Sequence, residues 1–483
     1  TETAMVAHVQ KEHSKETYDG LQQSFPRVEE LPFDSDRKCM TTIHRYNDRF
    51  LCLTKGAVEV ISSRLRNKSS ADSFVAEAEN LSAEGIRVLA FGYRLLDELP
   101  KNFRYEEIEN ELSFVGLVGM IDPPREEISE AIRECKTAGI KPVMITGDHK
   151  ETAAAIARKI GLMEGGELVM TGSELSKLNT EQLEASVEKI AVYARVSPEQ
   201  KLNIVKALQQ RDHFVAMTGD GVNDAPSLKK ANIGIAMGIT GTDVSKEAAH
   251  MILLDDNFAT IVKAVREGRR IYDNIRRFVK YIMTCNGAEI LTIFLAPLFG
   301  LPIPLLPIHI LWINLVTDGL PGLALSAEKA ERNIMHRKPR GTKESLFADG
   351  IGVHIIWVGC LMAALTLGTQ VWAINTEHTH WQTMVFTVLS LVQLAHVLAI
   401  RSDEEFIYRK GFFSNPLLVG AVAITFLLQL GVIYLPFANS IFKTQPLTLS
   451  ELGLCILLAA VLFHAVEAEK WIKKRRRRNR QAQ

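Results

Sequence analysis

Three short runs in this sequence carry residue types and spacings suited to phosphate chemistry. The first is Thr218-Gly219-Asp220-Gly221-Val222-Asn223-Asp224-Ala225-Pro226, directly after the apolar run Phe214–Met217. Its glycines permit a tight turn and a close approach of backbone to ligand, and Asp220 and Asp224 offer the hard oxygens that Mg2+ prefers. A bare Gly-Asp-Gly is ordinarily only a turn. Two carboxylates and an amide in one run, at the carboxyl end of a strand, favour a site instead. The second run is Thr146-Gly147-Asp148-His149, where a strand gives way to a helix whose first N–H groups suit a phosphate oxygen. Asp148 could serve there simply as a helix cap. The third is Lys201, which opens a helix after Ser197-Pro198 and can extend an ammonium toward the same crevice. Alone, such a lysine reads as solvated surface.

A different set of polar residues interrupts long apolar segments. Asn286 and Glu289 are three apart and share a helical face; Asn314, Thr317 and Asp318 do the same in the next segment. An aspartate at mid-membrane costs roughly 2.5–3.5 kcal/mol on insertion scales, so such groups are functional by default. All are oxygen donors, and hard oxygens suit Ca2+ or another hard cation better than copper or zinc. Gly319, Pro321 and Gly322 follow at once and should loosen the helix and release carbonyl oxygens. Hydrogen bonding between helices is the competing explanation. It suits Asn286 alone, but not Glu289 together with Asp318.

The elements that must hold these residues divide the chain. Its 483 residues exceed one compact core, and 56 basic residues balance 56 acidic ones, so no overall field points to nucleic acid as a partner. Charge gathers in the first half and apolar runs in the second, which implies a head joined to a membrane part. Six cysteines without a CxxC pair suggest neither zinc nor a disulfide framework and fit a reducing cytosol for the head. The start at Thr1 shows no signal pattern and is expected to lie inside a domain.

Cys39–His44 and Phe50–Leu53 predict a hairpin, followed by a helix over 71–83 and a strand from Arg87 to Tyr93. From about 113 short apolar runs alternate with helices: Phe114–Val118, Pro142–Ile145, Ala191–Ala194, Phe214–Met217, Ile233–Ala236 and Met251–Leu254. Alternation of this kind predicts a doubly wound parallel sheet with its site at the carboxyl ends of the strands. Six segments then reach membrane-spanning length, about 281–299, 305–325, 351–374, 382–400, 416–436 and 447–466. Arginine and lysine concentrate in alternate connections (Lys329 to Lys343, Arg401 to Lys410) and in the tail from Lys473. The positive-inside rule therefore puts the head, both connections and the tail in the cytosol. The tail run is read as topology and contact with anionic lipid rather than a nucleic-acid patch.

Thr218 to Pro226, Thr146 to His149, Asp122-Pro123-Pro124-Arg125 and Lys55-Gly56-Ala57 together resemble P-type ATPases over essentially the whole chain. The resemblance implies an α/β head of two parts. Residues 1–112 would be the C-terminal part of a nucleotide-binding domain, and 113–256 a haloacid dehalogenase-like phosphorylation domain. A stalk at 257–280, an all-α bundle of six transmembrane helices at 281–470 and a basic tail at 471–483 would follow. It implies that Asp220 binds Mg2+ and that Thr146, Gly147, Asp148, Arg195, Lys201, Asn223 and Asp224 surround the phosphoryl group. Glu2, Phe33, Lys38, Lys55, Gly56 and Arg87 would face ATP, with Phe33 on adenine; by themselves Phe33 reads as core and Lys38 as surface. The segment Leu315 to Pro321 resembles calcium pumps, which makes Asn286, Glu289, Asn314, Thr317, Asp318 and Gln393 ligands of the transported Ca2+. Gln393 stands where the sarcoplasmic reticulum type has glutamate, which fits one ion per cycle.

The family's Asp-Lys-Thr-Gly-Thr segment, with the phosphorylated aspartate, is not in this sequence. The resemblance implies that it, the actuator domain and four further helices belong to an N-terminal half, and that the chain alone is inactive. Competing readings are a membrane-anchored phosphatase of the same fold and a non-enzymatic module that pairs with that half.

Overall fold

The computed structural model describes every residue except 1, 13–14, 35–36, 68–70, 100–104, 121–123, 342, 404 and 482–483. The side chains of 2, 15–18, 71, 83, 477–478 and 480–481 also lie outside the description. The chain forms two compact units, residues 1–136 with 140–260 and residues 137–139 with 261–483.

The first unit opens, after two helices, with a five-stranded sheet in the order β1-β2-β3-β4-β5, antiparallel throughout. Its strands are β1 Arg27–Asp34, β2 Cys39–Tyr46, β3 Arg49–Gly56, β4 Arg87–Leu96 and β5 Ser113–Met120. Along β2 the side chains of Cys39, Thr41 and Ile43 are buried while their neighbours are not, the period-two pattern of a sheet with one covered face. Asn47 takes φ 52° in the two-residue turn that joins β2 to β3, as a tight hairpin requires. The helix Ala71–Ala83 packs its Phe74 on a cluster of Ile61, Leu65, Ala90 and Leu112. One expectation is corrected here. The run Phe114–Val118, read as opening the parallel series, lies in β5 and pairs antiparallel with β4, Ala90 opposite Leu117. A short apolar run announces a strand but not its partner.

The remaining strands are all parallel, in two sheets of three: β6-β8-β7 and β9-β10-β11. These are β6 Met144–Thr146, β7 Leu168–Thr171, β8 Ile190–Ala194, β9 Ala216–Gly219, β10 Ile233–Met237 and β11 Met251–Leu253. Every residue of β8 is buried, which is why its sequence is a continuous apolar run rather than an alternation. The helices Ile128–Thr137, Lys150–Lys159 and Pro198–Gln210 supply the covering layers. β6 and β9 are edge strands of their sheets, and Ile145 of β6 packs against the cluster holding Val215 and Met217.

Six helices in or leading into the second unit are long and apolar enough to cross a membrane. They are the first span Phe258–Leu298, the second Pro307–Leu325, the third Ile351–Asn375, the fourth Trp381–Ala399, the fifth Pro416–Tyr434 and the sixth within Leu449–Gln481. Stalk and first span are one helix, and the basic tail continues the sixth as helix. The fourth span is 83% buried over its most apolar window, the others 28–44%, so it forms the centre of the bundle. Exposed Ile290, Phe294, Leu315 and Leu323 give the outer spans an apolar surface fit for lipid. Arg401, expected as a topology charge after the fourth span, is wholly buried against Glu328 at 3.0 and 3.3 Å, which also takes Lys410 at 3.2 Å. Burial opposes the charge of Glu328, yet these partners and Asn415 hold its carboxyl below the usual range.

Candidate functional site

The carboxyl ends of β6 and β9 carry the phosphate-type runs. After β9 the chain turns through Gly219 and Asp220 into a short helical turn at Val222–Asp224. A Cβ on Gly219 would stand 2.5 Å from Asp224 Cβ, so only glycine lets the Asp224 side chain fold back over the strand end. Asp224 is buried; its Oδ1 accepts from Lys201 Nζ at 2.7 Å and its Oδ2 from the Gly221 N–H at 3.3 Å. Lys201 reaches it from the first turns of Pro198–Gln210, a helix started by Ser197 in a reciprocal cap with Gln200. The Asp220 carbonyl is pinned by the Thr242 N–H at 2.8 Å and the Ser245 hydroxyl at 3.1 Å. Its carboxylate is exposed and accepts no hydrogen bond among the described residues, as does Asn223 stand exposed beside it. A carboxylate held by its own backbone and left open fits a Mg2+ that keeps its other positions for water and phosphate.

After β6, Thr146 Oγ1 donates to Asp148 Oδ2 at 2.9 Å and accepts the Asp148 N–H at 3.1 Å. Among the described residues nothing stands within 4 Å of where a Gly147 side chain would begin, which leaves room at this turn. The cap of Lys150–Lys159 is His149, whose Nδ1 accepts from the Glu151 N–H at 3.4 Å; Asp148 is therefore not spent on capping. It is engaged by Arg87 Nη2 at 2.5 Å. Arg195 follows β8 with φ 52° and an exposed side chain, outside the Lys201–Asp224 contact.

The sheet register gathers the residues expected to face nucleotide. Asp34 pairs with Cys39, Cys39 with Gly56 and Gly56 with Ala90, so Phe33, Lys38 and Lys55 come to one end of neighbouring strands. Phe33 is 65% exposed on the edge strand, not core. Lys38 takes φ 53° and lies 3.8 Å from Glu59. Gly56 is required by close packing, since a Cβ would sit 2.6 Å from Cys39 Cβ and 2.7 Å from the Lys38 carbonyl. Arg87 starts β4 and is committed to Asp148. The side chain of Glu2 lies outside the described residues.

In the bundle, Glu289 is 3% exposed and bridges two other spans: Asn314 Nδ2 donates to its Oε2 at 3.0 Å and Gln393 Nε2 to its Oε1 at 2.9 Å. Asp318, 1% exposed, accepts from the Tyr281 hydroxyl at 3.0 Å. Residues Ile313–Asp318 form a π-helical stretch. Pro321 has no N–H to offer the Thr317 carbonyl, and the Tyr281 hydroxyl reaches that carbonyl at 3.3 Å. The expected loosening is thus a widened turn that holds Asn314, Thr317 and Asp318. Thr317 Oγ1, Asp318 Oδ2 and Gln393 Oε1 are buried with no hydrogen-bond partner among the described residues. These orphaned oxygens lie on expected ligands and are of the kind that a hard cation would satisfy. Asn286 is half-buried on the first span and stays out of the hydrogen-bonded set.

No three His, Cys, Asp or Glu side chains come together as a metal cluster among the described residues. The span site rests instead on amides, a hydroxyl and carbonyls around separate carboxylates. Two participants went unread in the sequence. Tyr281 lies four and eight residues before Cys285 and Glu289, hence on their face, and that spacing could have found it. Asp256 accepts the N–H groups of Gly238, Ile239 and Thr240 at 2.7, 3.0 and 2.8 Å and so closes the loop after β10. Desolvation opposes its charge, but these donors bring its carboxyl down to about 2.

Three family models match the chain. "P-type ATPase, cytoplasmic domain N" covers residues 1–127, "haloacid dehalogenase-like hydrolase" residues 66–232, and "Cation transporting ATPase, C-terminus" residues 302–472. Calcium-transporting ATPase 1 of Bacillus cereus is 43% identical over 485 residues, with 94% of this chain and 54% of that protein covered. Calcium-transporting ATPase of Bacillus subtilis is 46% identical, with 91% of this chain and 51% of that protein covered. Probable cation-transporting ATPase F of Mycobacterium bovis is 38% identical, with 91% and 50% covered. The chain thus spans about half the length of the curated relatives it matches.

Proposed function

We propose, for a chain that belongs to the P-type ATPase family, that it is the part of a calcium pump holding the ion-binding spans and most of the phosphate crevice. The observation that carries this reading is the set of orphaned oxygens on Thr317, Asp318 and Gln393 beside the Glu289 carboxylate. Buried polar atoms without partners are costly, and a hard cation would satisfy them together.

In the head, Lys201 holds Asp224 in place and offsets phosphate charge, while the Gly147 turn offers space and N–H groups to a phosphoryl oxygen. Asp220 would hold Mg2+, which when bound neutralises charge on the transferred phosphoryl. Phe33, Lys38, Lys55 and Gly56 would present ATP. Arg87, paired with Asp148, would leave that partner to meet nucleotide. The aspartate that receives the γ-phosphoryl is expected in an N-terminal half, on a strand that the edges of β6 and β9 could pair with. Head, basic connections and tail would face the cytosol.

The test is Asp318→Asn in the full-length protein. Calcium-stimulated ATP hydrolysis should disappear while yield and folding persist. Hydrolysis that still answers to calcium at its original concentration dependence would remove the site from the account.

A further inference from the structure

A cavity of about 760 Å3 lies within the second unit, bounded by the first, third and sixth span helices and the segments that follow the second and fourth spans. Nine lysines and arginines line it with six carboxylates; Glu344 and Glu467, just outside the lining, take Arg340 at 2.8 Å and Lys470 at 2.7 Å, which leaves an excess of one positive charge. The carboxylates are shared between cations. Glu331 takes Arg277 at 2.6 Å and Arg337 at 2.9 Å; Asp403 takes Lys280 at 2.5 Å with Arg277 at 4.0 Å. Asp349 takes Arg276 at 3.0 Å and Arg340 at 3.1 Å. Arg277 is 2% exposed, and its Nε, 4.0 Å from Asp403, has no hydrogen-bond partner among the described residues. Arg332 and Lys474 line the cavity without an ion pair among the described residues, and a concave lining concentrates their charge on it.

What such a lining lacks is an anion, and guanidinium groups recognise phosphate with particular economy of geometry. The surroundings identify where the phosphate comes from. Trp471 and Ile472 are exposed on the sixth span helix between the lining residues Lys470 and Lys473. Val353 and Ile356 are exposed on the third span on either side of the lining residue His354. Exposed apolar side chains thus occupy the same helix ends as the charged lining, where tryptophan marks the membrane boundary and basic pockets take lipid headgroups. We propose that this cavity seats the phosphate of an anionic membrane lipid, whose acyl chains lie against Val353, Ile356 and Trp471. The site is distinct from the ion site and does not depend on the pump reading.

The test uses the whole chain in lipid nanodiscs, either phosphatidylcholine alone or with a minority of phosphatidylglycerol, and counts retained lipids by native mass spectrometry. Phosphatidylglycerol should be retained in preference. Arg332→Gln with Lys474→Gln, both at cavity-lining positions, should weaken that retention by roughly tenfold or more, and Arg475→Gln with Arg476→Gln by less than about twofold. Both pairs remove equal charge, but the second lies outside the lining. Equal loss from the two pairs, or no preference for phosphatidylglycerol, overturns the site and leaves only diffuse attraction to the basic tail. Inorganic phosphate, added to the loaded discs, should not displace the lipid; displacement would make a free anion the occupant and overturn the lipid assignment.

Discussion

Removing Lys201 while keeping Asp224 should destabilise the head more than removing both. The two charges stand 2.7 Å apart, with the Asp224 side chain 8% and the Lys201 side chain 19% exposed. At an effective dielectric of 20 their gross attraction is about 6 kcal/mol, most of which desolvation returns. The pair as a whole is therefore worth little, but deleting one partner of a buried pair costs about 3–5 kcal/mol. Water near Lys201 argues for the lower end, so Lys201→Met should cost about 3 kcal/mol. Asp224→Asn should cost about 1 kcal/mol, because the amide still accepts the Gly221 N–H and the freed lysine can extend into solvent. The double substitution should fall about 2 kcal/mol short of the sum of the singles. For a unit of this size Lys201→Met then lowers the midpoint of thermal unfolding by roughly 6–12 °C. The assay is thermal unfolding of the detergent-solubilised chain for all four members of the cycle. Additive single effects, or Lys201→Met no worse than Asp224→Asn, would refute the claim that Asp224 is a buried charge dependent on this lysine.

The loop after β10 should be acid-sensitive through Asp256. Its folded carboxyl titrates near 2, below the ordinary value of about 3.9, so its contribution is complete above pH 4 and lost as pH falls toward 2. Asp256→Asn should melt below the parent chain at pH 7, with the gap closing between pH 4 and 2; a gap that stays constant over that range contradicts the assignment. Tyr281→Phe should lower the unfolding midpoint of the bundle in detergent, since it removes the one hydroxyl proton that Asp318 Oδ1 and the Thr317 carbonyl share, a buried loss of about 1–3 kcal/mol. An unchanged midpoint would mean that those oxygens find other partners.

What the sequence made legible was whatever is decided locally. The six spans follow from run length alone, and the β2–β3 hairpin from alternation around Asn47. Local pattern could not decide partners. Phe114–Val118 is as apolar as a parallel core strand, and only the neighbouring β4 makes it antiparallel. The parallel strands likewise gave no sign of dividing into two sheets, because sheet continuity is a matter of contacts between distant segments. Arg401 shows the same limit for charge. Next to a span it satisfies a topology rule, yet its guanidinium is held by Glu328, 73 residues earlier, and by the Phe412 carbonyl at 2.6 Å.

The candidate sites divide along the same line, and for a reason that bears on the ion site. Residues three or four apart on a helix declare a shared face, so Glu289 was visible, as were Asn314, Thr317 and Asp318 together. Whether two such faces meet is not written in either. The structure supplies the missing step through hydrogen bonds that cross between helices, Glu289 to Asn314 and to Gln393, Asp318 to Tyr281. It also adds a condition no spacing rule contains. On a regular helix Asn314 and Asp318 fall nearly in line, whereas the π-helical stretch changes the angle between them and presents a different set of oxygens inward. The stretch ends immediately before Gly319 and Pro321, residues that weaken the ladder there. The geometry of the candidate ion site therefore depends on a helix defect next to the proposed ligands as much as on those residues themselves.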